Sequence, residues 1–538
     1  MRPAGRAETE SLYFNYPQFG PPKGAARDGL ERSVPVTIIG AGPVGMVAAL
    51  TLAQQGIASV LIEAKSTFND GSRAICMARH SYHILDSLGV VAPFLDKSLG
   101  WTIGRSFYRG EQILEFNMLD SADEKFRPMY NLQQQYIEAY LWQAIESNPL
   151  IETRWQTRLD AIAPDVEGAR LSVSDPEGAY SFHADWVLAA DGARSAVREY
   201  LGLRLQGQNF EGRYVIADVQ MKHDYPTIRR ALFDPACRPG GTVLIHRQPD
   251  NIWRIDYQLR DDEDASEAMR EDIVRDSVGL VLADIGHDGP WALEWWSAYS
   301  ANTLALEDYR MGCVFFIGDS AHIVPIFGVR GLNNGIADAH NIGWKLGCVL
   351  SGKAGAALLD SYTPERRGAT LDAFANATKS ARFMTPPSRG WRILRDAALG
   401  LARDIPFAAA LANPRQMVPF TYGESPAVLP DDSDFTSGPP PGAAIFDMRL
   451  EGGFLSDRLG PWFSLICFDP RLAAEVSALP APPKVVFLPH SSAAAKRLGA
   501  NEGTAYLIRP DLHVGARWHK VSSYQVEDAL RALRFLEN

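Results

Sequence analysis

The sequence predicts an α/β protein of several domains, and three observations support this fold class. The chain has 538 residues, more than one hydrophobic core usually holds. Residues 34–39 (VPVTII) are apolar and β-branched without alternation, which is typical of a strand buried on both faces of a parallel sheet. A glycine-rich turn, a helical stretch ending at Gly56 and a second such strand, residues 59–64 (SVLIEA), follow directly. These segments predict a βαβ unit.

The rest of the chain alternates helix-rich and strand-rich blocks. Periodicity predicts helices at 74–88, about 136–147, 264–285 and about 334–402, the last broken at Pro386-Pro387, and strands at about 168–190 and 205–260, with a hairpin turned at 249–251. Residues 445–538 follow a stretch rich in Pro, Gly and Asp, and predict a small α/β unit of strand, helix, strand, helix, strand, strand and helix. Residues 1–32 predict an irregular arm packed on the surface, with a flexible tail as the alternative.

Composition excludes several classes of protein. The formal net charge is −11 and no long Lys/Arg run occurs, which argues against nucleic-acid binding. The five cysteines are widely spaced without a CxxC pair, so we expect neither a disulfide framework nor a metal site, and a reducing, cytoplasmic setting. The sequence shows no signal-peptide pattern at its start and no apolar stretch long enough for a membrane span.

The first motif with chemical meaning is Gly40-Ala41-Gly42-Pro43-Val44-Gly45, which lies between the first strand and the first helix. Glycines at this spacing let the backbone turn tightly and approach a pyrophosphate, which the N–H groups and dipole of the helix N-terminus stabilise. Glu63 ends the second strand, where an acid accepts hydrogen bonds from ribose hydroxyls. The motif predicts dinucleotide binding, with a glycine-rich turn of an unrelated α/β protein as the alternative.

Two further motifs make this prediction more specific. Residues 189–198 (AADGARSAVR) follow a strand and open a helix, and residues 318–322 (GDSAH) precede residues 325–335 (PIFGVRGLNNG). Together with the first motif, in this order, they resemble the class A, single-component FAD-dependent aromatic hydroxylases with the para-hydroxybenzoate hydroxylase fold. The similarity extends over roughly residues 34–380 and is greatest to the 3-(3-hydroxyphenyl)propionate hydroxylase and phenol hydroxylase type.

The resemblance implies bound FAD, with NADH or NADPH as co-substrate. It implies that Arg73 lies near the FAD pyrophosphate and the nicotinamide, that Gln134 contacts FAD, and that Asp319 binds the ribityl chain. Asp191 with Gly192 is implicated in binding both cofactors, and the helix that begins at the third motif faces the flavin ring. The predicted cofactor-binding residues are Gly40, Gly42, Pro43, Val44, Gly45, Glu63, Ala64, Arg73, Gln134, Asp191, Gly192, Gly318, Asp319, Pro325, Gly328, Gly331, Leu332 and Asn333.

Plainer interpretations stand beside these assignments. Arg73 would otherwise form a surface salt bridge, Gln134 would cap a helix, and the two aspartates would be ordinary turn residues. The chain also departs from the family pattern, because Pro325-Ile326 stands where relatives commonly have Pro-Pro, whose second carbonyl helps to hold the substrate hydroxyl in some of them. Arg330 stands where many relatives have Gln or Lys.

The implied reaction is hydroxylation of a phenolic aromatic substrate by NAD(P)H and O₂, through a flavin C4a-hydroperoxide. His246 and Tyr257, both in the predicted hairpin, are the candidate catalytic residues, because a histidine suits proton relay and a tyrosine can hydrogen-bond a phenolate. A hairpin histidine and a core tyrosine are the structural alternatives. Alternation along the strand places Arg254 and Asp256 on one face and Tyr257 on the other.

The implied architecture is a Rossmann-like FAD-binding domain (GR2 type), a β-sheet substrate domain and a C-terminal thioredoxin-like domain, to which residues 463–468 and 506–517 are similar. The predicted divisions are an arm (1–32), the FAD-binding domain (33–205 and 306–380, with some substrate-domain strands near 100–130), the substrate domain (206–305), a helical connection (381–428), a Pro-rich linker (429–444) and the thioredoxin-like domain without CxxC (445–538). A homodimer is implied by resemblance only. The alternative functions are a monooxygenase of a larger polyketide or antibiotic substrate and a non-catalytic flavoprotein.

Overall fold

The computed structural model describes residues 1–23, 33–260, 262–325, 328–411, 418–432 and 435–536. The strands are β1 Val34–Ile39, β2 Ser59–Ile62, β3 Cys76–Ala78, β4 Leu99–Trp101, β5 Ile103–Tyr108, β6 Glu111–Asn117, β7 Met129–Asn131, β8 Ile151–Arg154, β9 Arg158–Pro164, β10 Ala169–Asp175, β11 Gly178–Ala189, β12 Gln206–Met221, β13 Arg229–Phe233, β14 Thr242–Arg247, β15 Ile252–Gln258, β16 Trp291–Ala305, β17 Arg310–Met311, β18 Val314–Phe316, β19 His322–Ile323, β20 Arg449–Leu450, β21 Gly453–Phe454, β22 Ser464–Cys467, β23 Lys484–Phe487, β24 Ala505–Ile508 and β25 Val514–Trp518. The α-helices are α1 Pro43–Gln54, α2 Arg79–Ser87, α3 Ala92–Lys97, α4 Gln134–Glu146, α5 Ala196–Tyr200, α6 Glu271–Asp284, α7 Gly331–Leu350, α8 Tyr362–Met384, α9 Arg389–Leu401, α10 Pro406–Leu411, α11 Leu455–Arg458, α12 Pro470–Ser477, α13 Ala493–Leu498 and α14 Ser523–Leu533.

The first large sheet has the strand order β17-β18-β11-β1-β2-β8, and β9 and β10 extend β11 as an antiparallel meander. The strands β8, β2, β1, β11 and β18 run parallel. In a parallel sheet the carboxyl ends of the strands meet at one edge, and this is where open α/β sheets bind ligands. The segments after β1, β2, β11 and β18, which include all the glycine-containing motifs of the sequence, are therefore gathered at one edge.

Helices α1 and α7 pack closely against each other through glycines of α7. A side chain on Gly335, Gly343 or Gly347 of α7 would place its Cβ within 2.5–2.7 Å of Val44 or Thr51 of α1, or of Gln55 directly after it. The three glycines are spaced by eight and four residues and so lie on one face of α7. Their lack of a side chain lets α7 pack closely on the helix that carries the first glycine motif.

The second large sheet has the order β19-β16-β12-β15-β14-β13-β5-β6 and is antiparallel except between β13 and β5. Its outer face packs on α6 through apolar residues such as Val215, Ile255 and Val278. Its inner face is turned toward the part of the chain that holds the first sheet, because a Cβ on Gly71, in the segment after β2, would lie 2.1 Å from the indole of Trp295. We use "inner face" for this side of the sheet.

The C-terminal segment forms a four-stranded sheet of order β23-β22-β24-β25. Strands β22 and β23 are parallel, and β24 is antiparallel to both β22 and β25. Its core includes Phe463, Leu465 and Leu530, which pack with Trp344 and Cys348 of α7 in one apolar cluster. The hydrophobic core is thus continuous from this unit into the first part of the chain.

Two expectations about local structure are corrected. The predicted helix at 74–88 is wrong over Cys76–Ala78, which form β3 and pair with β7, because strand pairing outweighs the local helical pattern. In the C-terminal unit, the short pair β20 and β21 and the single-turn helix α11 precede the predicted order of elements. The predicted break at Pro386-Pro387 is confirmed, since α8 ends at Met384 and α9 begins at Arg389.

All five cysteines are free. Burial raises the pKa of each thiol, to about 12 for Cys76, Cys237 and Cys348 and to about 11 for Cys467. Within the described ranges, no helix is long and apolar enough to cross a membrane.

Candidate functional site

The glycine turn between β1 and α1 has the geometry of an anion cradle. Gly40 has φ +106°, and a Cβ at Gly45 would lie 2.0 Å from the carbonyl oxygen of Gly40, so both positions require glycine. At Gly42, the residue before α1, a Cβ would in contrast meet no atom of the described residues within 4 Å. The chain thus leaves space beside the backbone at the N-terminus of α1, which suits a bound phosphate. Pro43 at the first turn of α1 has no N–H to satisfy, and Val44 packs against Gly318.

Glu63 stands at the end of β2 beside this turn. Its carboxylate accepts hydrogen bonds from the backbone N–H of Ala41 at 2.9 Å and of Lys65 at 3.0 Å. These bonds hold the carboxylate next to the glycine turn, where it suits a ribose. Ala64 follows on the rim of a cleft of about 700 Å³ that Gln156 and Arg158 also line.

Asp191 follows β11 at the same edge. One carboxylate oxygen accepts from the N–H of Val197 at 3.0 Å, and the other has no partner in the described part of the chain. Burial raises the pKa of Asp191 although Ser195 and backbone donors oppose this. A buried, half-satisfied carboxylate normally needs a further donor, and a ligand hydroxyl would supply it. Gly192, with φ +79°, makes the turn that follows.

Gly318 and Asp319 follow β18. Gly318 has φ +63° and donates its N–H to Asp338 of α7 at 3.0 Å. The Asp319 side chain is exposed. Protein atoms around its carboxylate nevertheless raise its pKa by desolvation, while the charges of His322 and Arg73 act in the opposite direction and lower it. Exposure together with desolvation is what a group on the wall of a deep cleft experiences. The charge of Arg73 acts on Asp319, and the side chains of both residues are exposed.

The loop that carries Arg73 is fastened to the inner face. Arg254 donates to the carbonyl oxygens of Ser72 and Arg73, and pairs with both oxygens of Asp218 at 2.9 Å. Gln134 adds a second attachment, because its N–H donates to Ser72 Oγ at 2.9 Å and its Oε1 accepts from the N–H of Ala74 at 3.3 Å. The sheet thus fixes the backbone of the loop, and the Arg73 side chain itself is exposed.

Arg254→Met is expected to destabilise the protein by about 3 kcal/mol, because it leaves Asp218 buried without its cation. It should also lower FAD retention, since loop 71–73 loses its attachment. Thermal unfolding and the FAD content after gel filtration measure the two effects. Arg247→Met, on the outer face of the same hairpin, is the control, and equal losses in both variants would contradict the role assigned to Arg254.

The N-terminus of α7 completes the edge of the site. A Cβ on Gly331 would meet no atom of the described residues within 4 Å, and Leu332 beside it is half-buried. The Asn333 side chain forms its hydrogen bonds within the protein. Its amide oxygen accepts from Ala78 N–H at 2.8 Å and from Ser81 Oγ at 2.7 Å, and its amide nitrogen donates to the carbonyls of Cys76 and Val329. Its side chain therefore holds β3 beside the start of α7.

The loop before α7 is described only in part. Pro325 is buried, and Gly328 has φ +88° in the turn that leads into α7. The departure from the Pro-Pro pattern falls on Ile326, which lies outside the described residues.

The inner face carries a row of polar side chains in cross-strand register. Asp218 pairs with Arg254, and Arg254 pairs with His246. Continuing the register of β13 with β14, which matches Arg230 to Ile245, puts Arg229 beside His246. Asp256 lies two residues along β15 on the same face. These side chains are all less than about a tenth exposed.

The two candidate catalytic residues are not brought together. His246 lies on the inner face, with its ring 6.3 Å from that of Trp101, and burial with the charges of Arg229 and Arg254 lowers its pKa to about 3. Tyr257 lies on the outer face, in the core against α6 and with Arg238 over its ring at 5.3 Å. This placement separates Tyr257 from the cleft by the thickness of the sheet and supports the core-tyrosine interpretation.

Sequence reasoning did not select Arg229 or Asp256. Both are charged residues inside strands whose other residues are almost all buried, RRALF and IWRIDYQ. Charged side chains are rarely buried without a partner, so a charge in such a strand is the signal that would have selected them.

The gathered strand ends define a dinucleotide-binding site of the α/β class, and its open glycine turn, half-satisfied Asp191 and cleft-wall Asp319 fit FAD. The model of the FAD binding domain family matches residues 33–377. The chain therefore belongs to this family, and FAD is its cofactor.

Relatives and solved structures agree with this assignment. The 3-(3-hydroxy-phenyl)propionate/3-hydroxycinnamic acid hydroxylase of Mycolicibacterium smegmatis is 28% identical over 445 residues, covering 81% of this chain and 77% of that protein. The protein of the same name from Klebsiella pneumoniae is 26% identical over 462 residues, covering 81% and 78%. Among structures, the flavin-dependent monooxygenase PieE with FAD and substrate has a TM-score of 0.79 at 22% identity, covering 94% of this chain and 99% of that one. Aklavinone-11 hydroxylase with FAD and aklavinone has a TM-score of 0.76 at 23% identity with the same coverage.

Proposed function

We propose that the protein is an FAD-dependent monooxygenase that uses NADH or NADPH and O₂ to hydroxylate a phenolic aromatic substrate. The observation that carries this proposal is the row of buried polar side chains on the inner face, set against the FAD-binding edge next to the N-terminus of α7. A site for a purely apolar ring would not need Arg229 and Asp256 there. The relatives named as hydroxyphenylpropionate hydroxylases support a phenolic substrate.

We assign the cofactor roles to residues at the strand ends. The turn Gly40–Gly45 would hold the pyrophosphate, Glu63 a ribose, and Asp191 and Asp319 hydroxyls of the FAD chain. The dipole of α7 at Gly331 and Leu332 would stabilise negative charge on the reduced ring. When bound, FAD supplies the transfer of electrons from the nicotinamide and the activation of O₂. The protein supplies orientation, exclusion of water and control of protons.

The alternative is a monooxygenase of a larger polyketide or antibiotic substrate. The structures of PieE and of aklavinone-11 hydroxylase each match 94% of this chain. This chain and the two solved proteins share the fold. The fold therefore does not set the size of the substrate, and we assign that role to the residues around the inner face.

We propose that residues 445–536 form a thioredoxin-like domain. Its parallel pair β23-β22, followed by antiparallel β24 and β25 with helices between them, supports this topology. Without a CxxC pair, thiol redox chemistry is not its role. Its continuous core with α7 supports a stabilising role, and a cytoplasmic location is consistent with five free thiols. A homodimer remains part of the proposal.

The purified protein is expected to be yellow and to oxidise NADH or NADPH faster, by about tenfold or more, when the right phenol is present. The assay compares 3-(3-hydroxyphenyl)propionate, 4-nitrophenol, hydroxybenzoates and resorcinol, with the product identified by mass as one oxygen heavier. Bound FAD without stimulation by any of these phenols would contradict the small-phenol proposal and favour the larger substrate. Absence of bound FAD after reconstitution would contradict the cofactor assignment.

A further inference from the structure

Two charged side chains on the inner face, Arg229 and Asp256, have no hydrogen-bond or ion-pair partner among the described residues. Arg229 Nη1 and Asp256 Oδ1 are buried and unsatisfied. On the same face, Arg254 is fully paired with Asp218. The Arg254–Asp218 pair on this sheet therefore has its hydrogen bonds formed, whereas Arg229 and Asp256, which have opposite charges, lack hydrogen-bond partners in the described fold.

Burying Arg229 and Asp256 without hydrogen-bond partners destabilises the folded protein, so folding by itself does not explain these two residues. A buried charge without partners is strongly disfavoured relative to water. Apolar residues of similar size at both positions would pack without this cost. A pair of buried, unsatisfied groups of opposite charge on the face toward the FAD edge is the arrangement expected of a site completed by a ligand.

The pair is linked to the start of α7 through β3. The ring of Trp101 lies 6.3 Å from that of His246, the cross-strand neighbour of Arg229, and Trp101 packs with Cys76 of β3 in one apolar cluster. Burial raises the pKa of the Cys76 thiol, and the charges of Arg254, Asp256 and Arg229 also act on it. The backbone carbonyl of Cys76 accepts from Asn333, at the start of α7. The pair therefore lies across β3 from the helix N-terminus assigned to the flavin ring.

We infer that Asp256 and Arg229 activate the phenolic substrate. The Asp256 carboxylate accepts the proton of the ring hydroxyl, and the Arg229 guanidinium binds the phenolate oxygen that results. The O–H bond breaks with its electron pair left on oxygen, the proton stays on Asp256, and it returns to the phenolate oxygen when the product leaves. This inference rests on the proposed function and names its substrate class more closely, as phenols that react in ionised form.

The ionisation of Asp256 suits this role. Desolvation, with a contribution from Asp218 and against Arg254 and Arg229, raises the pKa of Asp256 to about 7. Against a phenol with a pKa near 10, as for free tyrosine, this narrows the gap for proton transfer from about six units to about three. The other ionisable groups facing Asp256 are Cys76 and Tyr214, whose own pKa values burial raises, so both stay neutral. His246 also stays neutral, because burial and the nearby arginines lower its pKa to about 3.

The test uses the FAD-loaded enzyme and the variants Asp256→Asn and Arg229→Met. The first measurement is the absorbance of bound 4-nitrophenol and 3-(3-hydroxyphenyl)propionate against pH, which reports phenol and phenolate separately. Wild type is expected to lower the apparent pKa of the bound phenol by about one unit or more, a tenfold preference for phenolate. Both variants should lose this shift. Hydroxylation should rise through pH about 7 in wild type, and should fall by about 10²-fold or more in Asp256→Asn, with the rise gone.

Thermal stability separates this role from a structural one. Because the folded state raises the pKa of Asp256, it favours the protonated form, and the ionised group opposes folding as pH rises through about 7. Asp256→Asn should therefore be at least as stable as wild type above that pH. Arg230→Met is the matched control for Arg229→Met, since Arg230 is the next residue of β13 and lies over the ring of Tyr225 on the outer face. It should keep the bound-phenol shift.

The results distinguish the assignment of Asp256 and Arg229 from the proposed function itself. If wild type binds and ionises the phenol and both variants do so equally, the inference is overturned and the proposed function stands. A large loss of stability in Asp256→Asn above pH about 7 would also overturn it in favour of a structural role. If wild type binds FAD but neither phenol, the small-phenol function fails and takes the inference with it.

Discussion

Glu365→Ala is expected to destabilise the protein by about 4–5 kcal/mol, enough to remove much of the stability of an ordinary domain. Glu365 of α8 accepts from Lys345 at 2.6 Å, from Arg509 at 2.6 and 2.9 Å and from Asn341 at 2.7 Å, all fully buried. Removing the carboxylate leaves Lys345 in the interior without its anion, and leaves Arg509 with Asp511 as its one remaining carboxylate. Because Arg509 belongs to the C-terminal unit, the variant should also loosen that unit, and chemical denaturation followed by limited proteolysis would detect both effects.

The Glu365 carboxylate also determines whether the stability of the protein rises or falls with pH. Burial alone would raise the pKa of Glu365, but Arg509 and Lys345 overcome this and lower it to about 2. A depressed pKa means that the stabilisation is present above the unfolded value and is lost as pH falls through about 2. Wild type should lose stability between about pH 4.5 and pH 2, and Glu365→Ala should lose less over that range. Glu267→Ala, which removes an exposed surface pair with Arg270, is the control and should leave the melting temperature unchanged.

Gly45→Ala is expected to prevent correct folding of the FAD-binding domain, or to destabilise it by about 3 kcal/mol or more. Its methyl group would lie 2.0 Å from the carbonyl oxygen of Gly40, which is backbone and cannot move aside without opening the turn. Soluble yield, melting temperature and FAD content are the measurements.

Gly42→Ala is the matched variant, because its methyl group would meet no protein atom within 4 Å. The apoprotein should unfold at the same temperature as wild type, while the Kd for FAD rises by about tenfold or more, since the methyl group takes the space assigned to the pyrophosphate. If Gly45→Ala folded and bound FAD normally, or if Gly42→Ala bound FAD as well as wild type, the placement of the pyrophosphate on this turn would be wrong.

The local patterns of the sequence predict the βαβ unit, the hairpin and the order of the C-terminal elements well, because each depends on residues close together in the chain. The early strand β3 was missed for the opposite reason. Its residues carry a helical pattern, and only pairing with β7 makes them extended. Residues such as Glu63 and Asp319 could be selected because they sit at fixed offsets from glycine motifs. Arg229 and Asp256 could not be selected in this way, since their meaning depends on two strands meeting in register and on the absence of a partner in the described fold. Tyr257 shows the same limit, because alternation separates two faces but does not say which one meets the cofactor.

The thiols of this chain have a consequence for an enzyme that handles oxygen. Oxidants such as hydrogen peroxide attack thiolates in preference to thiols. Cys76 lies on β3, beside the start of α7, and burial raises its pKa to about 12. At neutral pH almost none of it is in the reactive form, and the other four thiols are shifted in the same direction. The packing that buries these side chains thus also favours their protonated form, which oxidants attack less readily.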